Sequence, residues 1–276
     1  VKGRTRIAPT PSGFIHRGNA INFLLVQLIA RRFGIPILLR IDDLDKERIR
    51  PEYLQDVFRS LEWLGMKWDE GPRDVDDHLK NWSQGQRMEG YLKILEALRN
   101  EGHLYGCTCT RSVLSGSVIY PGHCRNKGIA LDDPCAAWRI RVAEHARVAM
   151  RTMTGEVREL DVPTLIGDVV LRQRSADGGR PAYQIASLAD DVNFGITHIV
   201  RGDDLLPSTA IQLYIEQVLD LHDFLKTQFL HHPLVTDREG KKLSKSAGVE
   251  GLQLRMISDP SDLRKEAEAL YSKYFS

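Results

Sequence analysis

The segment RIAPTPSGFIHRGNAINFLLVQLIA, Arg6 to Ala30, constrains the fold more than any other part of the chain. A short apolar run enters it, prolines and glycines punctuate it, and an apolar helix pattern leaves it. Ile21, Leu24, Leu25, Leu28 and Ile29 fall on one helix face. Gly34 stops that helix, and IPILLRI (35–41) reads as a buried strand. Strand, tight loop, helix and strand make a βαβ unit, which implies a parallel sheet and an α/β fold.

The loop leaves the carboxyl end of the first strand, where open parallel sheets bind ligands. Gly13 and Gly18 let a ligand come close to the backbone. A helix starting near Gly18 offers unpaired N–H groups and a positive dipole end, which suit phosphate. His16 can donate a hydrogen bond to the same anion. The stretch has neither G-x-x-x-x-G-K-[ST] nor G-x-G-x-x-G, so it is neither of the two common phosphate loops. A rigid turn with an incidental histidine is the competing interpretation.

Composition sets outer limits. The 276 residues suffice for one large domain or two small ones. A hydrophobic share of 42% and a charged share of 27% are those of an ordinary globular protein. A net charge of +1 does not announce a nucleic-acid binder, so such a surface would need a local basic patch. No apolar run approaches the roughly 18 residues of a membrane span. The start, VKGRTR, lacks the apolar core of a secretory signal. A cytoplasmic protein with no membrane partner is expected.

Further along, Pro51 opens a second helix carrying Leu54, Val57, Phe58, Leu61 and Leu64. A third carries Met88, Tyr91, Leu92 and Leu95 and ends near Gly102. Residues 105–180 change texture to short alternating segments, which reads as an inserted module of strands and loops. Helix and strand patterns resume at 182–192, 197–202 and 208–221, with Ser208 as a candidate N-cap. Three of the four cysteines, Cys107, Cys109 and Cys124, lie within 18 residues, which suggests metal rather than disulfides. Cys135 falls outside that pattern and reads as packing. Buried free thiols are the alternative.

A second stretch, DREGKKLSKSAG (237–248), places Lys241, Lys242 and Lys245 with Ser244 and Ser246 between glycines. Alone it reads as a solvated loop. As a cationic, hydroxyl-rich segment it would also suit a triphosphate.

Together, His16-Arg17-Gly18-Asn19 and Lys242-Leu243-Ser244-Lys245-Ser246 resemble the paired HIGH and KMSKS signatures of class I aminoacyl-tRNA synthetases. RIAPTPSGFIHRG, LLRIDDLD, LEWLGMKWDEGP and GITHIVRGDDLL resemble the glutamyl-tRNA synthetase branch. The chain stops about 30 residues past the lysine loop, which resembles the truncated stand-alone members, the glutamyl-Q tRNA(Asp) synthetases.

The resemblance implies a Rossmann-like, doubly wound parallel sheet with an inserted zinc module and no anticodon-binding domain. Residues 1–104 would form the first half of the catalytic domain and 105–180 the insertion. Residues 181–235 would form the second half, and 236–276 the lysine loop and a C-terminal helix. It implies ATP, glutamate and queuosine-bearing tRNA(Asp) as partners, magnesium with ATP, and a monomer. His16 and Lys245 would carry catalysis; Gly18, Asn19, Lys242 and Ser244 would join them in holding ATP. Arg6, Ala8, Thr10, Asp42, Tyr183 and Arg201 would hold glutamate. Asp42 stands where the family has glutamate, one methylene longer, and Ser187 where full-length members have asparagine. CTCTR…IYPGHCR resembles the zinc pattern, with Cys107, Cys109, Tyr120 and Cys124 as ligands and His123 as the alternative fourth. Arg111, Arg125 and Lys127 are candidate phosphate contacts or, equally, a solvated cluster. An ordinary glutamyl-tRNA synthetase core and a non-catalytic ATP- or tRNA-binding paralogue are the competing readings.

Overall fold

A computed structural model describes residues 3–110, 119–234, 254 and 259–275. A six-stranded sheet forms its centre, in the order β2-β1-β8-β9-β5-β6. Its strands are β1 (Thr5–Ile7), β2 (Ile37–Leu39), β5 (Arg147–Thr152), β6 (Val157–Asp161), β8 (His198–Gly202) and β9 (Gln228–His232). The first five in spatial order are mutually parallel, and the β5–β6 hairpin closes one edge antiparallel. A second, antiparallel sheet runs β3-β4-β7, from Leu104–Cys107, Ala137–Ile140 and Val170–Arg172. The segment 105–180 is thus shared between the two sheets.

The opening βαβ unit forms as the apolar spacing predicts. Helix α1 (Arg17–Phe33) buries Ala20, Ile21, Leu24, Leu25 and Ile29. Its last turn ends on Gly34 at φ 61°, a left-handed cap that glycine adopts without steric cost. β1 runs parallel to β2 on one side and to β8 on the other. Connections therefore leave β1 in opposite directions, and a crevice opens at its carboxyl end.

The other longer helices complete the layers. They are α2 (Pro51–Trp63), α3 (Met88–Asn100), α4 (Tyr183–Asn193), α5 (Leu206–Val218) and α6 (Pro260–Ser272). Helix α5 begins two residues before Ser208, with Leu205 as its N-cap and Pro207 in the first turn. Proline fits there because its missing N–H has no intrahelical partner to lose. Ser208 is instead buried within the helix. Among the described residues two large apolar clusters fill the fold, one around α1, α2 and α6 and the other around α3, α4 and α5, and a small third gathers Tyr105, Cys107 and Cys124. Among the described residues no helix is long and apolar enough to cross a membrane.

Candidate active site

The crevice at the carboxyl ends of β1 and β8 is a cavity of about 590 Å³. Arg6, Ala8, Thr10, Gly13, His16, Gly18, Asn19, Tyr183 and Arg201 all line it. The β1 loop and the start of α1 supply one wall. Tyr183 opens α4, and Arg201 sits near the end of β8.

His16 is the N-cap of α1. Its Nδ1 accepts from the Asn19 backbone N–H at 3.4 Å, and Asn19 Oδ1 accepts from the His16 N–H at 3.3 Å. This is a capping box built from a histidine and an asparagine. Because Nδ1 accepts, the ring proton sits on Nε2, which is thereby a donor. The positive end of α1 lies at the same wall.

The floor beside the cavity is a buried ion cluster. Asp191, fully buried on α4, accepts from Arg6 Nε at 3.0 Å and Arg40 Nη1 at 2.7 Å on Oδ1. Its Oδ2 accepts from Arg201 Nη2 at 3.3 Å. Burial opposes ionisation there, but the three guanidinium charges hold the Asp191 carboxyl below its usual range. The next residue back, Asp190, accepts from Arg87, Tyr91 and Gln84. Ser187 Oγ lies between Arg40 Nη2 at 3.2 Å and Arg201 Nη2 at 3.3 Å and accepts from both.

Arg201 spends its remaining amine on Thr209 at 3.0 Å and Gln212 at 2.7 Å. Its Nε is buried and, among the described residues, without a partner. Arg6 spends Nε on Asp191, and among the described residues its two terminal amines have no protein acceptor. Two cavity-lining guanidiniums therefore keep unused N–H donors beside a charge cluster that already fixes their positions. Desolvated donors of this kind favour an anion.

Asp42 lies elsewhere. Both of its oxygens are taken by Arg40, at 2.7 and 3.1 Å, and it is not among the residues lining the cavity. Burial outweighs the Arg40 charge and pushes the Asp42 carboxyl above its usual range. Its neighbour Asp43 accepts from His78, Ser83 and the Gln84 backbone, at 3.0, 2.7 and 2.7 Å. The segment carrying Lys242, Ser244 and Lys245 lies outside the described residues, as does Arg111.

The cysteine cluster is separate. The sulfurs of Cys107, Cys109 and Cys124 all lie within 4.8 Å of one another, a group that could hold a metal ion. Tyr120 Oη lies 3.4 Å from Cys107 Sγ and 3.5 Å from Cys109 Sγ. Tetrahedral zinc with bonds of about 2.3 Å sets its sulfurs about 3.8 Å apart, so the donor set fits. His123 packs edge-on against the Tyr120 ring and is outside the three-sulfur group. Arg125 Nη1 donates to both oxygens of Asp168, at 2.7 and 2.8 Å, and is committed to holding the insertion together. Lys127 is exposed.

Asp191, Asp190, Arg40, Asn22 and His232 belong to the site or its support without having been singled out in the sequence. The signal available for the first two was an acidic pair closing an apolar helix pattern in ASLADDVN.

The family model for the catalytic domain of class I tRNA synthetases (E and Q) matches residues 2–117 and 131–267. A glutamyl-Q tRNA(Asp) synthetase from Pseudomonas aeruginosa is 39% identical, over 87% of this chain and 76% of its own. One from Nitratidesulfovibrio vulgaris is 36% identical over 92% and 80%. The solved glutamate-tRNA synthetase of Elizabethkingia anophelis aligns with a TM-score of 0.71 at 25% identity, over 90% of this chain. This chain spans about half, 53%, of that synthetase's length.

Proposed function

The chain belongs to the class I tRNA synthetases of the E and Q type, and from that premise we propose that it activates glutamate and glutamylates queuosine in the anticodon of tRNA(Asp). The observation that carries the amino-acid assignment is the pair of cavity-lining arginines with unused donors, Arg6 and Arg201. A glutamate side-chain carboxylate would accept from the Arg6 terminal amines and be attracted by the Arg201 charge, whose own unused Nε is buried. Glutamine would bring an NH₂ group against donors and leave N–H groups unpaired, which costs far more than a lost methylene. Ala8, Thr10 and Tyr183 would complete the amino-acid pocket, with Asp42 acting on it through Arg40.

In the first step the glutamate α-carboxylate attacks the α-phosphorus of ATP and pyrophosphate leaves. Both reactants are anionic, so the protein supplies position and positive charge. His16 Nε2, the Gly18 N–H, the Asn19 side-chain amide, Lys242, Ser244 and Lys245 would serve the triphosphate, with Lys245 on the departing pyrophosphate. In the second step a hydroxyl of the modified base attacks the acyl carbon and AMP leaves. Magnesium would accompany ATP. Cys107, Cys109 and Cys124 with Tyr120 would hold a structural zinc, which fixes the β3 end of the insertion. A cytoplasmic monomer suits this role.

Pyrophosphate exchange with glutamate in the absence of tRNA tests activation. Acylation of queuosine-containing against queuosine-free tRNA(Asp) tests the acceptor. Exchange with no glutamylation of either, but with charging of a tRNA 3′ end, would replace the acceptor assignment. No exchange with any amino acid would remove the enzymatic one.

A further inference from the structure

Asn22 on α1 and His232 at the end of β9 both line the cavity, and Asn22 Nδ2 lies 3.0 Å from His232 Nε2. His232 is 4% exposed, with Nδ1 2.9 Å from the Pro233 carbonyl oxygen. A carbonyl can accept but not donate, so Nδ1 carries the ring proton. Burial lowers the ring's affinity for a second proton, which leaves Nε2 a bare acceptor. Asn22 must then turn its NH₂ toward the ring. The flip of the amide, ordinarily ambiguous, is fixed by this chain of contacts. Oδ1 of Asn22 remains as an acceptor, with no donor to it among the described residues.

Position along α1 indicates what it could accept from. Gly18 and Asn19 sit at the helix N-terminus, the phosphate-binding end. Asn22 is about one turn further along the same wall. The arginines that suit the amino acid are across the crevice on β1 and β8. We propose that Asn22 is a nucleoside-reading residue whose Oδ1 accepts from an N–H or O–H of the bound nucleoside, and that His232 is the positioning residue that fixes its amide. This rests on the ATP reading above. The donor is either the exocyclic amine of adenine or a ribose hydroxyl.

The test is equilibrium binding to the full chain of four probes: ATP, purine riboside triphosphate, 2′-deoxy-ATP and 3′-deoxy-ATP. Purine riboside triphosphate lacks the exocyclic amine, and each deoxy analogue lacks one hydroxyl. One analogue is expected to bind the wild-type protein about three- to tenfold more weakly than ATP, the worth of one neutral hydrogen bond. In Asn22→Ala, ATP weakens by a similar factor and that analogue's penalty disappears. Alanine is the best helix former, so this variant keeps α1, and circular dichroism verifies it. His232→Leu removes the acceptor that holds the amide and shrinks the same penalty, while His232→Gln, which keeps an acceptor, retains most of it. Penalties unchanged in Asn22→Ala would overturn this assignment and leave the ATP reading standing. A wild-type protein that binds no ATP would overturn both.

Discussion

Asp191 and Arg201 are held at 3.3 Å, Oδ2 to Nη2, with both side chains nearly excluded from solvent. The same aspartate anchors Arg6 and Arg40 through its other oxygen. One carboxylate therefore sets the positions of both cavity-lining guanidiniums. Asp191→Asn leaves three buried arginines short of a counter-charge. Removing one partner of a buried ion pair costs about 3–5 kcal/mol. Denaturant unfolding is expected to show a loss of that size, with the slope unchanged if the folded state stays compact.

Arg201→Gln separates recognition from stability. Asp191 keeps Arg6 and Arg40, so the fold is expected to tolerate the change better than Asp191→Asn. A charge-assisted hydrogen bond contributes about 1.5–3 kcal/mol, which corresponds to roughly 10- to 150-fold in kcat/KM for glutamate. The loss is expected mainly in KM, because the amino-acid side chain is remote from the reacting carboxylate. Exchange assays over a glutamate series check it, and a variant with unaltered glutamate KM would remove Arg201 from the pocket.

How much of this was legible beforehand follows from contact range. The β1 loop and α1 could be read because proline, glycine and apolar spacing act within one turn or one step of chain. The cysteine group could be read because its members lie within 18 residues. The role of Asp191 could not: its partners Arg6 and Arg40 are 185 and 151 positions away. From sequence it is an acid at the end of a helix pattern, a place that usually faces water. The Asp42 pairing was equally hidden, because an i, i+2 relation on an extended segment normally puts side chains on one face without saying which of many ligands they take. The β5–β6 hairpin joins the main sheet through β9, some 75 residues later in the chain, and alternation alone cannot name a strand's neighbour.

His16 has one observed role and one proposed role that a pair of variants can part. Its Nδ1 caps α1, and its Nε2 proton is the proposed donor to phosphate. His16→Asn supplies another capping acceptor without that donor, so stability is expected to stay near wild type. His16→Ala loses the cap as well and about 1 kcal/mol with it. Pyrophosphate exchange is expected to fall in both by about 10²-fold or more. Equal exchange in His16→Asn and wild type would exclude the imidazole from the chemistry.

The cysteine group makes a prediction about metal. Zinc loading is expected to protect Cys107, Cys109 and Cys124 from thiol reagents and to leave Cys135 reactive, since Cys135 is exposed and outside the group. A strong chelator should expose all three protected thiols together, because each loses the same partner. Melting temperature should fall on chelation, as metal binding is linked to folding. Mass spectrometry after alkylation, with and without chelator, reads both the count and the positions. Tyr120→Phe is expected to weaken zinc retention; if His123→Ala does so instead, the fourth ligand is the imidazole.

Acid titration should show two opposed effects, and their signs can be worked out. Burial sets the folded Asp42 carboxyl above its ordinary value of 3.8. A group raised in the fold contributes stability that is fully present below the unfolded value and is lost as pH rises through the folded one. Asp191 and Asp43 are shifted the other way, against the opposing effect of burial: Asp191 by its arginines, and Asp43 chiefly by hydrogen bonds from His78, Ser83 and the Gln84 backbone. Their contribution is present above 3.8 and is lost as pH falls through their lower folded values. Acidification from neutral pH therefore first relieves Asp42 and then breaks the Asp191 and Asp43 contacts. Unfolding free energy measured from pH 7 downward is expected to receive a favourable contribution from Asp42 before the final fall. Asp42→Asn cannot gain that proton, so its difference from wild type should change across the mildly acidic range and then level off. A difference that stays constant over the whole range would mean that Asp42 titrates alike in the folded and unfolded chains, and that Arg40 fully offsets its burial.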